Sequence, residues 1–582
     1  MQFKQTLVRL LFLILPATLN AQTTYLPQGA KENILIERLE IKAQTDSALN
    51  FSKTKPYSRK HVIPTIGNYY RTGKFIKEAG EIPATLDSQD YSRSEVAADL
   101  SNVDLYNAYS AMVNNLEWAI GNRTEYSSKK PIANHFYQSP ANLYEVLTED
   151  FFLAVNPVFQ YVIAKENDND QHLFLNTRGL TFRGRIANKV GFAGYFTDNQ
   201  ERDPLYVQRF VNERQAVPGA GFYKGFKQGG YDYFDARGYF SVNVAKFIDV
   251  SFGYDKHFIG NGHRSLFLSD FSNSSLFLKL NTRVWKLNYQ NLFMELEAAH
   301  HRQTDELIPK KYAAMHHLDI NVTKWLNVGV FEGVVFGRKD RFAFSYLNPV
   351  IFIRSIEQQN GSVDNAVAGI DAKANLFKRL QIYGQFLIDE FSRAERSAGE
   401  GWWGNKWGIQ AGVKYIDAFN INNLDLQVET NRVRPFTYSH RDSVANYTHY
   451  NQPLAHPLGA NFQEWITIAR LQPAPKWLMQ AKGIFYMQGK DRDSISYGSN
   501  IFLPNIAPFR KSDYGFEVGS GVRTKTALMS FLLSYELKQN LFLEANTLFR
   551  KQNATIINRN PKNTFVISAG IRWNMHRREF DF

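Results

Sequence analysis

The chain has 582 residues, of which 14% are aromatic (30 Tyr, 45 Phe and 9 Trp), and it contains no cysteine. The lack of cysteine excludes disulfides, thiolate metal sites and a lipid anchor on cysteine. The formal net charge of +13 favours anionic partners such as lipopolysaccharide headgroups or acidic glycans.

Residues 1–21 have the pattern of an export signal. Lys4 and Arg9 form a positive first part, residues 10–15 (LLFLIL) form a short apolar core, and small residues follow up to Ala21. The apolar core is much shorter than the roughly 20 residues that a membrane-spanning helix needs. The chain is therefore expected to be exported, and nucleic acid is not expected as a partner.

Residues 22–148 combine loop-like and weakly helical stretches. Within them, residues 94–120 carry apolar side chains at the spacing of one helical face, and Ser94 is in position to cap the start of that helix. Two arrangements are compatible with this segment. It is either a separate periplasmic domain or a plug packed into the mouth of a barrel.

Residues 149–582 contain repeated runs in which apolar and polar side chains alternate. In residues 406–415 (KWGIQAGVKY) and 564–574 (TFVISAGIRWN), one parity is apolar or aromatic, and the other is largely polar, charged or small. Alternation with a period of two places successive side chains on opposite faces of a strand. A membrane barrel uses this pattern with its apolar face toward lipid, and Tyr and Trp form girdles at the two interfaces.

The spacing of these runs indicates a barrel. Some runs are separated by only about two to four residues, as in hairpins, whereas the gaps at residues 200–231, 338–365 and 434–460 are long. Alternating short turns and long loops are typical of outer-membrane barrels, which have even strand numbers. We therefore predict an all-β fold, a transmembrane antiparallel β-barrel of about 18 strands over residues 149–582, in the cell outer membrane.

Four stretches resemble a known family: residues 257–270 (HFIGNGHRSLFLSD), 336–365 (FGRKDRFAFSYLNPVIFIRSIEQQNGSVDN), 401–410 (GWWGNKWGIQ) and 447–462 (YTHYNQPLAHPLGANF). Together they are similar to the Wzi-type capsule-assembly outer-membrane proteins, in particular the Bacteroidetes branch called gliding-motility protein RemB. The resemblance implies an 18-stranded barrel with an N-terminal helical part. It also implies binding of surface or capsular polysaccharide without known catalysis, with gliding-machinery proteins as further partners.

The candidate glycan-binding residues are Trp402, Trp403, His263 and Arg264. Aromatic faces stack on the apolar faces of sugar rings, and the glycines on either side of the tryptophan pair would let a loop present both rings. An interfacial aromatic girdle is the alternative interpretation of that pair. His263 and Arg264 could contact an anionic glycan, or could equally hold a loop to the barrel wall.

Metal binding and catalysis are not expected. The pairs His300–His301 and His316–His317 each offer one inward ligand at most, because adjacent strand residues point to opposite faces. Asp389–Glu390 is a lone acidic pair, whereas glycosidases need two carboxylates across a cleft. The chain lacks the zinc, serine-hydrolase and phosphate-loop motifs. No cofactor is predicted.

Three functions therefore remain. The first is a non-catalytic barrel that binds or organises cell-surface polysaccharide, in capsule assembly or attachment or in gliding motility. The second is a porin-like diffusion channel whose charged inward side chains line an open pore. The third is a barrel enzyme that acts on envelope lipids or glycans.

Overall fold

The structure is a computed structural model that describes residues 24–582, apart from 45, 80–87, 130, 134, 188, 301–306, 340, 351, 493–494 and 555–561. The side chains of residues 88–92 and 562 are also not described. The export signal predicted for residues 1–21 lies outside the described residues.

Eighteen long strands dominate the secondary structure of the described residues. They are β1 (Phe151–Glu166), β2 (Leu173–Ile186), β3 (Val190–Arg202), β4 (Gly230–Ala245), β5 (Ile248–Asp255), β6 (Ser275–Val284), β7 (Leu287–Glu297), β8 (Lys310–Asn321), β9 (Leu326–Phe336), β10 (Asn365–Leu376), β11 (Leu380–Glu390), β12 (Lys406–Tyr415), β13 (Leu424–Val433), β14 (Phe462–Leu471), β15 (Trp477–Lys490), β16 (Val522–Lys538), β17 (Leu541–Ala554) and β18 (Lys562–Trp573). Short strands lie at Thr54–Lys55, Tyr144–Leu147, Lys224–Phe226, Phe258–Ile259, Thr448–His449 and Gln452–Pro453.

The eighteen long strands form one closed antiparallel barrel. Each long strand pairs with its sequence neighbours, and β18 pairs with β1 from Trp573↔Phe159 to Val566↔Glu166, which closes the sheet. Closure satisfies the backbone hydrogen bonds within the sheet, as hydrocarbon requires. The predicted 18-stranded antiparallel barrel is confirmed.

The predicted alternation is visible in the exposure of the strand side chains. In β12, Lys406, Gln410 and Lys414 are buried toward the lumen, whereas Ile409 and Val413 are 45% and 40% exposed on the outer face. The same parity holds in β13 and β18. The apolar parity therefore faces outward and the polar parity faces inward, as a barrel in lipid requires.

The strand connections place short turns at one end of the barrel and long loops at the other. Among the short turns are residues 246–247, 285–286 and 539–540, whereas residues 434–461 and 491–521 are among the long loops. Both the segment that precedes β1 and the end of β18 lie at the short-turn end.

The helices are α1 (Glu32–Ala43), α2 (Arg59–Ala79), α3 (Ser88–Ala98), α4 (Asn102–Asn114), α5 (Leu205–Arg214), α6 (Ile353–Gln359) and α7 (Arg393–Ala398), with 3₁₀ turns at Arg123–Tyr126, Phe344–Leu347, Ala418–Asn420 and Ser443–Ala445. None of the described helices is long and apolar enough to cross a membrane.

The single helix expected over residues 94–120 is wrong in its boundaries. The chain forms two helices, α3 and α4, that are separated near Ser101. Ser101 caps α4, because its Oγ accepts a hydrogen bond from the Asp104 amide (2.9 Å) while the Asp104 carboxylate accepts one from the Ser101 amide (3.1 Å). This reciprocal capping box starts a new helix at Ser101, so Ser94 does not begin the predicted one.

The N-terminal segment (residues 24–148) enters the barrel at the short-turn end. Tyr25 contacts Ser251 of β5 (3.1 Å), and Lys31 pairs with Glu536 of β16 (2.5 Å). On α1, Glu40 pairs with Lys373 of β10. Strands β5, β10 and β16 divide the wall into roughly equal thirds, so this part of the chain spans the lumen.

A luminal loop, residues 256–274, descends from the opposite end and meets the N-terminal segment inside the barrel. Thr54–Lys55 pairs with Phe258–Ile259, and the Gly260 amide donates to the Lys53 carbonyl (2.7 Å). Above this contact, a cap loop (residues 434–461) packs on the luminal loop, where the Tyr447 hydroxyl donates to the Phe267 carbonyl (2.7 Å). The luminal loop and the cap loop therefore fill the lumen between its middle and the long-loop end.

An outer-wall loop, residues 337–364, folds back over the outside of β7, β8 and β9. Its Ile353 and Ile356 pack with Val334, whose side chain points away from the lumen. Glu332 of β9, also on the outer face, accepts from the Ile353 amide (2.9 Å) and contacts His316 of β8 (3.0 Å). The loop thus shields a polar row that would otherwise face hydrocarbon.

Candidate functional site

The tryptophan pair lies at the long-loop end, in residues 391–405 between β11 and β12. Gly401 has φ +71°, and a Cβ there would come within 3.0 Å of both the amide nitrogen and the carbonyl oxygen of Phe516. The Phe516 amide donates to the Gly401 carbonyl (2.9 Å), and the Trp403 amide donates to the Asp513 carbonyl (3.0 Å). Glycine at this position therefore allows the tryptophan loop to be braced by backbone hydrogen bonds to residues 491–521.

The two indole rings are half-buried and adjacent. Their centroids are 5.8 Å apart with 53° between the ring planes. The Arg510 guanidinium lies 4.3 Å from the Trp403 ring centroid, and Phe436 meets that ring edge-on at 6.0 Å. Because the loop is not a regular strand, the two neighbouring rings can lie this close together. The pair forms a partly exposed aromatic surface with a cation beside it.

His263 and Arg264 lie inside the barrel on the luminal loop, away from the tryptophan pair. Glu429 of β13 accepts hydrogen bonds from both of their backbone amides (2.7 and 3.1 Å). His263 Nε2 contacts Asp581 Oδ2 (2.9 Å), and Arg264 donates to Asp581 Oδ1 (2.9 Å) and to the Asp581 carbonyl (2.6 Å). These two side chains thus hold the end of the chain against the luminal loop.

The electrostatics of this contact are strong because it is buried. Burial alone would raise the pKa of Asp581, but the positive charges of Arg264 and Lys482 outweigh it and hold that pKa well below its usual range. The pKa of Arg264 is correspondingly raised: burial opposes the shift, and Asp581 and Glu464 outweigh it. Both groups therefore remain charged at neutral pH.

The C-terminal tail, residues 574–582, was not among the predicted elements, and it turns back from β18 into the lumen. Arg578 forms two hydrogen bonds with Glu201 of β3 (2.8 and 3.1 Å), and Arg577 pairs with Glu544 of β17 (2.6 Å). Phe582 packs on Phe210 of α5 with 4.8 Å between ring centroids. The sequence signal for this tail is the change from an alternating strand to the charged run HRREFDF.

The other candidate groups have structural partners. His316 and His317 point to opposite faces of β8, where they contact Glu332 (3.0 Å) and Asp371 (2.7 Å). Asp389 and Glu390 both pair with Lys406 (3.1 and 3.0 Å). His301 lies outside the described residues. Within the described ranges, no group of three or more His, Asp or Glu residues is arranged to hold a metal ion.

A cavity of about 680 Å³ lies in the lumen beside the N-terminal segment. It is bounded by β2–β4 on one wall, by β14–β16 on another, by the luminal loop at its inner end and by the C-terminal tail. Lys476 and Asn540, from the short turns, are also part of its lining. The cavity therefore extends to the short-turn end of the barrel.

Comparison with known proteins agrees with this architecture. The model of the capsule assembly protein Wzi family matches residues 155–490. The solved structure of Wzi from Escherichia coli, described as an outer membrane protein involved in group 1 capsule assembly and a carbohydrate-binding β-barrel, has a TM-score of 0.53 at 14% identity and covers 96% of this chain and 100% of its own. At that identity the likeness concerns the fold.

More distant barrels are also similar. Pseudomonas aeruginosa OprD has a TM-score of 0.40 at 12% identity and covers 72% of this chain and 94% of its own. OpdK from the same organism, solved with vanillate, has a TM-score of 0.41 at 8% identity and covers 74% of this chain and 99% of its own. No curated protein sequence is significantly similar. With the family match spanning more than half of its length, this chain belongs to the Wzi family of capsule assembly proteins and is an outer-membrane β-barrel.

Proposed function

We propose that this chain is a non-catalytic outer-membrane barrel that binds cell-surface polysaccharide and takes part in capsule assembly or attachment. Its membership of the Wzi family supports the role in capsule assembly. The fold it shares with the carbohydrate-binding barrel of E. coli supports the ligand class. Lipid and lipopolysaccharide of the outer membrane surround the barrel wall.

The observation that carries this proposal is the braced tryptophan loop at the long-loop end. Long loops of outer-membrane barrels face the outside of the cell, where capsular polysaccharide is found. Trp402 and Trp403 present partly exposed rings on a loop held by backbone hydrogen bonds to residues 491–521. A rigid aromatic surface loses little conformational entropy when a sugar stacks on it. We place the glycan contact on this pair.

His263 and Arg264 enter the proposal in a supporting role. Their side chains contact Asp581 inside the lumen, so a glycan at the long-loop surface would meet them only through a rearrangement of the luminal loop. We propose that they orient that loop, and with it the cap loop that packs on it.

The finer assignment within the family is to the RemB-like branch, in which the same surface would serve gliding motility. Its basis is the resemblance of four sequence stretches, including residues 257–270 and 447–462, and the partners would then be gliding-machinery proteins. Deleting the gene tests the choice. Loss of surface polysaccharide with normal spreading would assign the capsule role, and loss of spreading with an intact capsule would assign the gliding role.

A diffusion channel is the second candidate, and the filled lumen is evidence against it. The N-terminal segment contacts strands on all sides of the barrel, and Gly260 of the luminal loop hydrogen-bonds to Lys53 across the interior. We therefore expect small ionic conductance from the intact chain in planar bilayers. Large stable currents would support the porin-like alternative.

The test of the glycan surface compares Trp402→Ala/Trp403→Ala with the unaltered barrel in a binding assay with purified capsular polysaccharide. Loss of each stacking aromatic removes about 1 kcal/mol, so the double variant should bind roughly thirtyfold more weakly. Trp285→Ala is the matched control, because Trp285 is 79% exposed but lies in a short turn at the opposite end. Unchanged affinity of the folded double variant would remove the pair from the site.

A further inference from the structure

The luminal cavity has the size and the polar lining of a ligand site. Its volume of about 680 Å³ falls within the range of about 300–1,000 Å³ that is typical of small-molecule pockets. The lining includes thirteen Asn and Gln residues, which come from the N-terminal segment, α4, several strands, the turn at Asn540 and the C-terminal tail. Amide side chains both donate and accept hydrogen bonds, as the hydroxyl groups of a sugar require.

Several polar atoms of the cavity lining are buried without a hydrogen-bond partner in the protein. Among the described residues, Gln28 Oε1, Asn33 Oδ1, the Tyr233 hydroxyl and Arg577 Nε all line the cavity, and none of them has a hydrogen-bond partner. A buried polar group without a partner destabilises the fold. A polar ligand or ordered water in the cavity would remove that cost.

The charges of the lining favour an anion. Thirteen Lys and Arg side chains line the cavity, against eight Asp and Glu side chains. Four carboxylates outside the lining (Glu117, Glu201, Glu464 and Glu544) also pair with its arginines, and the cations remain in excess by one. Arg572 and Arg577 share the single carboxylate of Glu544.

The excess of positive charge in the lining is most evident around Lys256, at the start of the luminal loop. The Lys256 ammonium donates to the backbone carbonyls of Gly219 (2.6 Å) and Asp270 (3.1 Å), and no carboxylate of the described residues hydrogen-bonds to it. Burial, and then the charge of Arg237, lower the pKa of Lys256 to about 7. The side chain of His576 is also close to the positive charges of Arg237 and Lys256, and its ring centroid lies 6.0 Å from that of Tyr195.

We propose that this cavity binds a short acidic saccharide, with carboxylate groups near Lys256 and sugar hydroxyls on the surrounding amides. Tyrosine and other aromatic side chains in the lining, among them Tyr195 and Tyr239, supply apolar surface for the sugar rings. Ligand access is from the short-turn end, because the luminal loop and the cap loop close the other side. This site is separate from the tryptophan surface and does not depend on it.

The test is calorimetric titration of the full-length barrel in detergent, in the Trp402→Ala/Trp403→Ala background so that surface binding does not contribute. The probes are trigalacturonate, the neutral trisaccharide maltotriose and inorganic phosphate. Trigalacturonate should bind at least about tenfold more tightly than either of the others, because it alone combines carboxylates with sugar hydroxyls. If maltotriose binds as tightly as trigalacturonate, the ligand need not be anionic. If phosphate binds as tightly, the ligand need not be a saccharide. Either result would overturn the proposal.

Two variants locate the site. Lys256→Met should weaken trigalacturonate binding about tenfold, whereas Lys311→Met should leave it unchanged. Lys311 is the matched control: it is also a buried lysine that donates to a backbone carbonyl (Asn446, 2.8 Å), but it does not line the cavity. Gln480→Leu, which keeps every charge, should also weaken trigalacturonate binding. It replaces Lys256→Met as the test variant if Lys256→Met fails to fold. Normal affinity in a folded Lys256→Met or Gln480→Leu variant would refute the proposal.

Discussion

Arg38 is the side chain whose loss should release the N-terminal segment from the barrel. It lies on α1 with its side chain only 4% exposed, and it contacts three carboxylates. Its Nε is 3.0 Å from Asp104, its Nη2 is 2.8 Å from Asp417 in a short turn, and its Nη1 pairs with Asp425 of β13. It therefore joins two parts of the N-terminal segment to the barrel wall.

Replacing Arg38 with Met leaves these carboxylates buried with less compensating charge. Removing one partner of a buried ion pair costs about 3–5 kcal/mol, and each 1.4 kcal/mol is a factor of ten in an equilibrium. The undocked form should therefore become about a hundred- to several thousandfold more populated. Lys42, which is 2.6 Å from Asp417, keeps part of the site neutral, so we expect the lower half of this range.

The assay has two readouts: the rate of proteolysis within residues 24–148, and ionic conductance in planar bilayers. Both should rise in Arg38→Met while the barrel keeps its heat-modifiable mobility on gels. Arg38→Lys is the matched control, because it keeps the charge and loses only the planar fork of donors. Normal protease resistance and conductance in Arg38→Met would refute the docking role of this cluster.

A compensating variant checks the electrostatic reasoning. Adding Asp417→Asn and Asp425→Asn to Arg38→Met removes two of the three carboxylate charges that Arg38 contacts, so protease resistance should recover by most of what was lost. If the triple variant is as sensitive as Arg38→Met, the loss comes from packing of the arginine stem and not from its charge.

Further predictions concern pH, the C-terminal tail and the outer wall. Burial raises the pKa of the Glu37 and Asp417 carboxyls, but nearby cations outweigh burial: Lys414 lowers the pKa of Glu37 to about 2, and Arg38 and Lys42 lower the pKa of Asp417 to about 2. The docking of the N-terminal segment that these carboxylates stabilise is therefore complete above about pH 4.5 and is lost as the pH falls through about 2. Measuring conductance as a function of pH will test this. Asp581→Asn leaves Arg264 buried with less compensation, so the melting temperature should fall by the equivalent of about 3 kcal/mol, and an unchanged melting temperature would contradict the role of the tail. Glu332→Leu removes the acceptor for the Ile353 amide and should raise cleavage within residues 337–364, with Glu332→Gln as control.

The sequence by itself determined the barrel, because side chains in a strand alternate between two faces whatever the partner strands are. The opposite parity of Ile409 and Val413 against Gln410 and Lys414 is a property of the amino-acid order alone, and the exposed and buried faces follow it. Turn and loop lengths are likewise local, since they are set by the number of residues between alternating runs. The tryptophan pair stands out in the sequence because glycines flank it.

Only the tertiary structure decided what fills the lumen. Arg264 and Asp581 are 317 residues apart in the chain, and Arg38 and Asp425 are 387 apart, so no local pattern links them. Residues 22–148 lack a strong periodicity, and their position depends on ion pairs with inward side chains of distant strands. For the same reason, the sequence left open whether His263 and Arg264 contact an anionic glycan or hold a loop to the barrel wall. Their position inside the barrel follows from the luminal loop, which folds inward because Glu429 accepts hydrogen bonds from its backbone and Asp581 neutralises its charges.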